Sequence, residues 1–515
     1  MKSTSRFLSA LCLAVLAAQA RGASPAPFEL RGPGVDPAQF RATVFAGGLN
    51  YPKGMALLAD GSLLVATNDP VQGSKSFYSS KGTLLRLVDA DGDGAADVAP
   101  QRLFQGLPGS LSGLKAAGGL VFVVSTAQAI TILRAGASPS DPLAYAGRIE
   151  FHLPDGWLHP PSDIAVRPSP GAANSIDLFF QVGSRSNKNP STGTVSVDSD
   201  IGVAAELLGD SIYLMTITDE GDSLRGSAPR RIASGLRNAA GLAFHPESGD
   251  LYFQDNGIDG SPDPNEPLSA DEVNLIAEGD IGGDVEDFGF PAGYVEYRSG
   301  GLVAGAAGQP LVAFQPLPDP RTGSESEGPA EIAFAPPLFP KQLRGGLFIG
   351  FHGKFNQGGI ANEENPLVHW DPASGEYFHF IGNDEAGVGH LDGLLAAGDS
   401  LFVADLCSAG SVSSSPGTGV IYRIRSLAAP ARFLRGDATR DRAVDVGDAV
   451  AILSYLFLGA QGPACLDAAD ANDDGSVDLT DAVAVLFALF VEGNPLPEPN
   501  AEEGEDPTED SLPCT

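Results

Sequence analysis

Between residues 470 and 481 the chain reads DANDDGSVDLTD. Asp470, Asn472, Asp474, Asp478 and Asp481 stand at positions 1, 3, 5, 9 and 12 of a twelve-residue loop, and Gly475 stands at position 6. The carbonyl of Ser476 is free to ligate at position 7. This is the oxygen set a hard divalent cation takes, with a glycine at the sharp central turn. The segment predicts a calcium site. A plain acidic turn, the alternative, leaves the coincidence of all these positions unexplained.

The pattern recurs upstream, where Asp437, Asp441, Asp445 and Asp448 map onto Asp470, Asp474, Asp478 and Asp481. Behind them Ala449, Val450, Leu453, Leu456 and Phe457 map onto Ala482, Val483, Leu486, Leu489 and Phe490. Apolar residues three and four apart predict an amphipathic helix after each loop, and no comparable pattern leads into either. The first loop is the poorer one. It carries Thr439 at position 3 and Arg442 at position 6, where a side chain resists the left-handed backbone and its charge opposes a cation. Duplicated loops of this kind, each followed by an apolar helix over residues 435–493, resemble the type I dockerin module. The resemblance implies docking onto a cohesin-like or cell-surface protein through the exposed helix faces. Val446-Gly447 and Leu479-Thr480, just before position 12, do not match each other, so the partner stays open.

A second set of reactive side chains lies in the body, and a repeat must position it. Between residues 27 and 425, Gly and Pro punctuate short β-branched and aromatic runs. A strand of the form Leu-apolar-apolar-apolar begins at Leu63, Leu120, Leu178, Leu251, Leu347 and Leu401 and closes near an acidic or amide residue. Six copies with room for four strands each predict an all-β six-bladed β-propeller, with a β-sandwich carrying long insertions as the alternative. Aligning the preceding strands (GMALL, DIAVR, GLAFH, EIAFA, GLLAA) puts polar residues just upstream in five copies: Asn50 and Lys53, His159, Arg237 and Asn238, Glu327, and His390 with Asp392. Loops entering the innermost strands open onto one mouth of the channel. A base, cations and carboxylates gathered there make an active-site constellation, against the plainer reading that loops are polar.

At SGLRNAAGLAFHPESGDLYFQDNGID and the SADEVNLIAEGDIGG and FGFPAGY that follow, the chain resembles the glucose/sorbosone dehydrogenases, soluble quinoprotein propellers that use pyrroloquinoline quinone (PQQ) and Ca2+. The resemblance implies that His159, with Pro168 nine residues on, abstracts the substrate hydroxyl proton. It implies that Arg237 and Asn238 hold the quinone, that backbone oxygens at Gly257 and Ile258 hold its calcium, and that Asp271 and Glu272 hold a structural calcium. The last strand, GTGVIYRIRS, departs by lacking basic residues before its Gly-Val, and Lys354 is the candidate compensating cation. Oxidising an alcohol or hemiacetal needs a base and a hydride acceptor, and no side chain accepts hydride. The reading is therefore a PQQ-dependent dehydrogenase for a sugar or related aldose. The alternative is a non-catalytic propeller binding glycan or protein, accessory to polysaccharide breakdown.

The formal charge is −34, and residues 435–515 carry 18 acidic against 3 basic side chains. This acidity argues against nucleic acid and anionic membranes as partners. Part of it is cation ligands; the rest, chiefly AEEGEDPTED, reads as a solvated tail. At the N-terminus, Lys2 and Arg6 precede an apolar run over residues 7–18, and Ala18-Gln19-Ala20 offers a cleavage site, so a secreted or cell-surface protein is expected. No later apolar run is long enough to span a membrane. The predicted organisation is a signal peptide at 1–20, the propeller at 21–427, a linker at 428–434, the calcium module at 435–493 and an acidic tail at 494–515. Secretion favours one disulfide. A Cys465–Cys514 bridge would tie the tail onto the module and leave Cys407 over. DADGDGAAD at 89–97 reads equally as a calcium hairpin or a polar turn. Trp157 reads as a sugar-stacking or a packing residue, and His245 and His352 as structural histidines.

Overall fold

The computed structural model describes residues 23–260, 266–303, 309–317, 319, 321, 328–427, 432–460, 462–491, 493–508, 512 and 514. The expected leader, Glu327 and most of the expected linker lie outside them.

The chain folds into a six-bladed β-propeller followed by a small helical module. Blade 1 is built from Met55–Leu57, Leu63–Pro70, Ser80–Leu87 and Gln101–Leu107, and blade 2 from Leu111–Ala117, Leu120–Ser125, Ala129–Arg134 and Ala144–His152. Blade 3 holds Ile164–Pro168, Ser175–Val182, Ser211–Asp219 and Arg230–Ser234, and blade 4 Ala239–Phe244, Leu251–Asp255, Glu272–Ile276 and Val312–Ala313. Blade 5 is Pro329–Phe334, Leu347–Phe351, Leu367–Trp370 and Tyr377–Ile381. Blade 6 uses Leu391–Ala397, Ser400–Asp405 and Gly419–Ser426, and takes its outer strand, Phe40–Leu49, from the N-terminal side of the chain. Pairing Phe40 with Ser426 and Val44 with Tyr422 closes the ring, so no blade edge is left at the seam. The six runs starting with leucine are the second strands, buried because both faces pack on neighbouring blades.

The uneven repeat spacing has a structural cause. A hairpin of Thr194–Ser199 and Ala204–Leu208, inserted within blade 3, pairs onto the outer edge of blade 2, with Ser196 opposite His152. The long fourth interval sends Glu286–Asp287 back to lie parallel to Arg230–Ser234 of blade 3. Blade 2's innermost strand, Leu111–Ala117, went unaligned in the sequence because its approach, GLPGSLSGLKAA, lacks a basic or acidic marker before the strand.

The six innermost strands meet at small residues. A Cβ on Gly54 would stand 2.5 Å from Leu114 N, and one on Gly393 would overlap the Lys53 carbonyl. Lys115 of blade 2 pairs with Glu331 of blade 5. Those blades face each other in a ring of six, so the pair bridges the channel.

In the C-terminal module, helix α1 is Val446–Leu458, α2 Leu466–Ala469 and α3 Leu479–Phe490. The helices pack on Ala438, Ala449, Ile452, Ala471, Ala482 and Val485, which are related in pairs by the internal repeat. Loop-then-helix occurs twice as expected, with the single turn α2 added before the second loop. The tail is not freely solvated. Gly504 exchanges backbone hydrogen bonds with Phe433 at 2.9 Å, and the fully buried Arg435 pairs with Asp506 and, at 2.9 Å, with Asp473. Phe433 is itself buried, so the module begins inside the expected linker. Cys465 and Cys514 are joined as a disulfide, and Cys407 is a buried free thiol.

Candidate functional site

The loops entering the blades are shaped by the residues that close the second strands. Asp255 accepts the backbone N–H groups of Arg237 and Asn238 at 2.9 and 2.6 Å, and Asp405 accepts those of Gly389 and His390 at 2.8 Å each. In blade 1 Asn68 does the same with its amide, accepting Leu111 N at 2.6 Å and donating to Tyr51 O at 2.9 Å. In blades 1, 4 and 6 the acidic or amide ending of the repeat is thus the device that holds the loop at the mouth.

His159 lies on the loop that leads from blade 2 into blade 3, against Ser184. Its Nδ1 is 2.9 Å from Ser184 Oγ and 3.2 Å from Ser184 O, and that hydroxyl donates to Ser186 O at 2.7 Å. Both neighbours of Nδ1 act as acceptors, so Nδ1 carries the hydrogen and Nε2 presents a lone pair. Burial first, and then the Arg237 guanidinium, push the imidazole down to about 3, which keeps it neutral. Gly183 permits this packing, since a Cβ there would stand 2.7 Å from that of His159.

Arg237 is buried and well supplied with partners. It donates to Asn187 Oδ1 at 2.9 Å and Asn256 O at 3.3 Å and pairs with Asp259 at 2.8 Å. Asn238 donates to Asn256 Oδ1 at 2.8 Å. Gly257 N donates to Asp271 at 2.7 Å and Ile258 N to Ser269 Oγ at 2.6 Å. A cavity of about 20 Å³ beside Arg237 is lined by Asp255, Asn256, Gly257, Ile258 and Glu272. Burial raises the carboxyls here, Asp255 to about 6, Asp271 to about 7 and Glu272 to about 8, with Asp255 adding to the rise at Glu272. A cation among them would relieve that cost.

Other expected residues have partners within the fold. Lys354 pairs with Glu363 at 2.8 Å and Glu364 at 3.0 Å. His390 is fully buried between the carbonyls of His352 and Gly410. Asp392 pairs with Lys53 at 2.9 Å, and Trp157 donates to Gly183 O at 3.0 Å. Asn187, Asp259 and Ser184, which hold the arginine and the histidine, sit in irregular loops and carry no repeat signal. In the 89–97 turn the carboxylates of Asp89, Asp91 and Asp97 lie within 4.8 Å of one another, and Asp89 also pairs with Arg423.

The two C-terminal loops share one hydrogen-bond pattern. In loop two Asp470 accepts Asp474 N and Gly475 N at 3.2 and 2.8 Å, and Asp481 accepts Asn472 N and Asp478 N at 3.1 and 2.7 Å. In loop one Asp437 accepts Asp441 N and Arg442 N at 3.1 and 2.7 Å, and Asp448 accepts Thr439 N and Asp445 N at 2.9 and 2.8 Å. Asp474 Oδ1 also accepts Ser476 N at 3.1 Å. Asp437, Asp448, Asp470 and Asp481 are buried, and burial raises Asp481 to about 6. Asp445 and Asp478 cap α1 and α3 through Gly447 N and Thr480 N.

Residues 435–489 match the dockerin type I domain, a calcium-binding family. The propeller superposes with a TM-score of 0.50 at 15% identity on the holo PQQ domain of pyranose dehydrogenase from Coprinopsis cinerea, covering 79% of this chain and 99% of that one. The PQQ-bound aldose sugar dehydrogenase of Streptomyces coelicolor gives 0.46 at 20% identity over 76% of this chain and 99% of that one. At 15% identity the first of these likenesses shows the fold alone. An uncharacterized protein of Borreliella burgdorferi is 36% identical over 138 residues, 24% of this chain, so the chain spans 31% of that relative. No helix among the described residues is long and apolar enough to cross a membrane.

Proposed function

We propose a secreted dehydrogenase of the PQQ type, acting on a sugar or related aldose and carried on a calcium-dependent docking module that engages a cohesin-like or cell-surface protein. The observation that supports it most is His159: a neutral imidazole with its hydrogen fixed on Nδ1 and its Nε2 lone pair unengaged among the described residues. That is a general base ready to take a hydroxyl proton. The surrounding residues fit a polyanionic quinone with a cation: Arg237 and Asn238 would hold it, and a cation beside the half-buried Asp271 and Glu272 would offset the desolvation that raises both carboxyls. The quinone, when bound, supplies the hydride acceptor that no side chain offers. An anion beside Arg237 would also offset the field that depresses His159, returning it toward its ordinary basicity. Lys354 does not fit this role, because two glutamates already hold it.

A second reading, a non-catalytic propeller that binds glycan or protein, is favoured by the engagement of Arg237 with Asn187, Asn256 and Asp259 and by the small cavity beside it. Adding PQQ and calcium to the purified chain separates the two. Uptake with a bound-cofactor spectrum, and a fall in aldose turnover of about a hundredfold in His159→Ala with an unchanged melting temperature, are expected. A wild-type protein that takes up no quinone in excess calcium decides for the second reading.

A further inference from the structure

The mouth has a second wall, away from His159, made by the loops of blades 5, 6 and 1. Two backbone hydrogen bonds stitch these loops together: Phe77 N donates to Val412 O at 2.8 Å, and Val412 N donates to Phe355 O at 3.0 Å. On this rim stand two exposed aromatic residues, Tyr78 at 53% and Phe355 at 43%, with ring centroids 6.1 Å apart. Phe355 rests on the His352 ring at 4.1 Å, and His352 Nδ1 lies 3.5 Å from Asp392 Oδ1. Asp392 is 1% exposed; its Oδ1 meets Lys53 at 2.9 Å, while its Oδ2 has no hydrogen-bond partner among the described residues.

Two exposed rings set edge to face at 63° on a stitched rim, near a buried carboxylate with an idle oxygen, offer one face and one edge to an apolar ring carrying hydroxyls. We propose that Tyr78 and Phe355 form the stacking wall for a pyranose ring at the mouth, with Asp392 as an acceptor for one of its hydroxyls. The proposal rests on the sugar-binding part of the proposed function and does not need the quinone. Aromatic side chains supply the dispersion area for the axial C–H face, and a carboxylate held ionised by Lys53 can only accept, which selects a hydroxyl over another anion. Neither wall residue falls in the repeat-equivalent loops, so the repeat gave no reason to single them out.

The test is calorimetric titration of the full-length protein in calcium with D-glucose and with cellobiose, using wild type, Tyr78→Phe, Tyr78→Ala and Phe355→Ala, with melting temperatures measured alongside. Saturable binding is expected in the wild type. It should be nearly kept in Tyr78→Phe and weakened by about tenfold in each alanine variant, the scale of a lost aromatic contact, without a change in melting temperature. Unchanged affinity in both alanine variants, or no binding of either sugar by the wild type, overturns the proposal. Quinone uptake measured on the same samples keeps the outcomes apart. Sugar binding lost in the alanine variants, together with no quinone uptake, leaves the wall standing and removes the dehydrogenase reading.

Discussion

Arg442 and Gly475 occupy the same place in the two acidic loops and show what one side chain costs. Gly475 has φ +82° and Arg442 φ +72°, so the arginine is held in the left-handed region by the loop around it. Its side chain is 81% exposed and meets Glu503 at 3.3 Å, so the charge is turned outward but stays near the site. The left-handed backbone costs a non-glycine residue roughly 1–2 kcal/mol. Arg442→Gly is therefore expected to give loop one a clear calcium-binding step in titration calorimetry and to raise the calcium-loaded melting temperature. An unchanged stoichiometry and midpoint would mean that Thr439, not the arginine, limits the site.

At the scale of elements, α1 and α3 begin on residues that the loop spacing also assigns to cation binding. Asp445 and Asp478 cap the helices, while Asp448 and Asp481, one turn in, close the loops behind them. Without a cation the buried carboxylates of each loop face one another, and helix starts and loops share the penalty. Stripping calcium from the full-length protein is expected to lower far-ultraviolet helical signal and to produce a separate, earlier unfolding step. Asp474→Ala should reproduce that step in the presence of calcium. Identical melting curves in calcium and chelator would remove the calcium reading of the module. The outer faces of the same helices leave Val450, Phe457, Val483, Phe487 and Phe490 exposed.

For the molecule as a whole, the Lys115–Glu331 pair joins opposite blades across the channel. Burial, with Asp163 second, lifts Glu331 to about 7, against the opposing pull of Lys115. A carboxyl whose folded value lies above its unfolded one binds protons more tightly in the native state. Its stabilising contribution is full at acid pH and is lost as pH rises toward 7. The propeller is therefore expected to melt at lower temperature at pH 8 than at pH 5.5, and Glu331→Gln should flatten that slope. A Glu331→Gln profile parallel to wild type would assign the slope to other buried carboxyls such as Asp405, also raised by burial, to about 6.

Local patterns in the sequence were enough to place the two acidic loops, the helices behind them and the six second strands. Each of these is a local pattern: ligand spacing within twelve residues, apolar spacing of three and four, or a leucine-led run between turns. The sequence also brought His159, Arg237 and Asn238 to notice, because they precede strands that repeat. Tertiary structure decided the rest, since those contacts join residues far apart in the chain. It engaged Arg237 with Asn187 and Asp259, bound Lys354 to two glutamates, and folded the acidic tail onto Arg435. It also brought Tyr78 and Phe355, 277 positions apart, onto one rim. A loop's ligands are set by neighbours along the chain, whereas the surroundings of a channel mouth are set by which blades closure brings together.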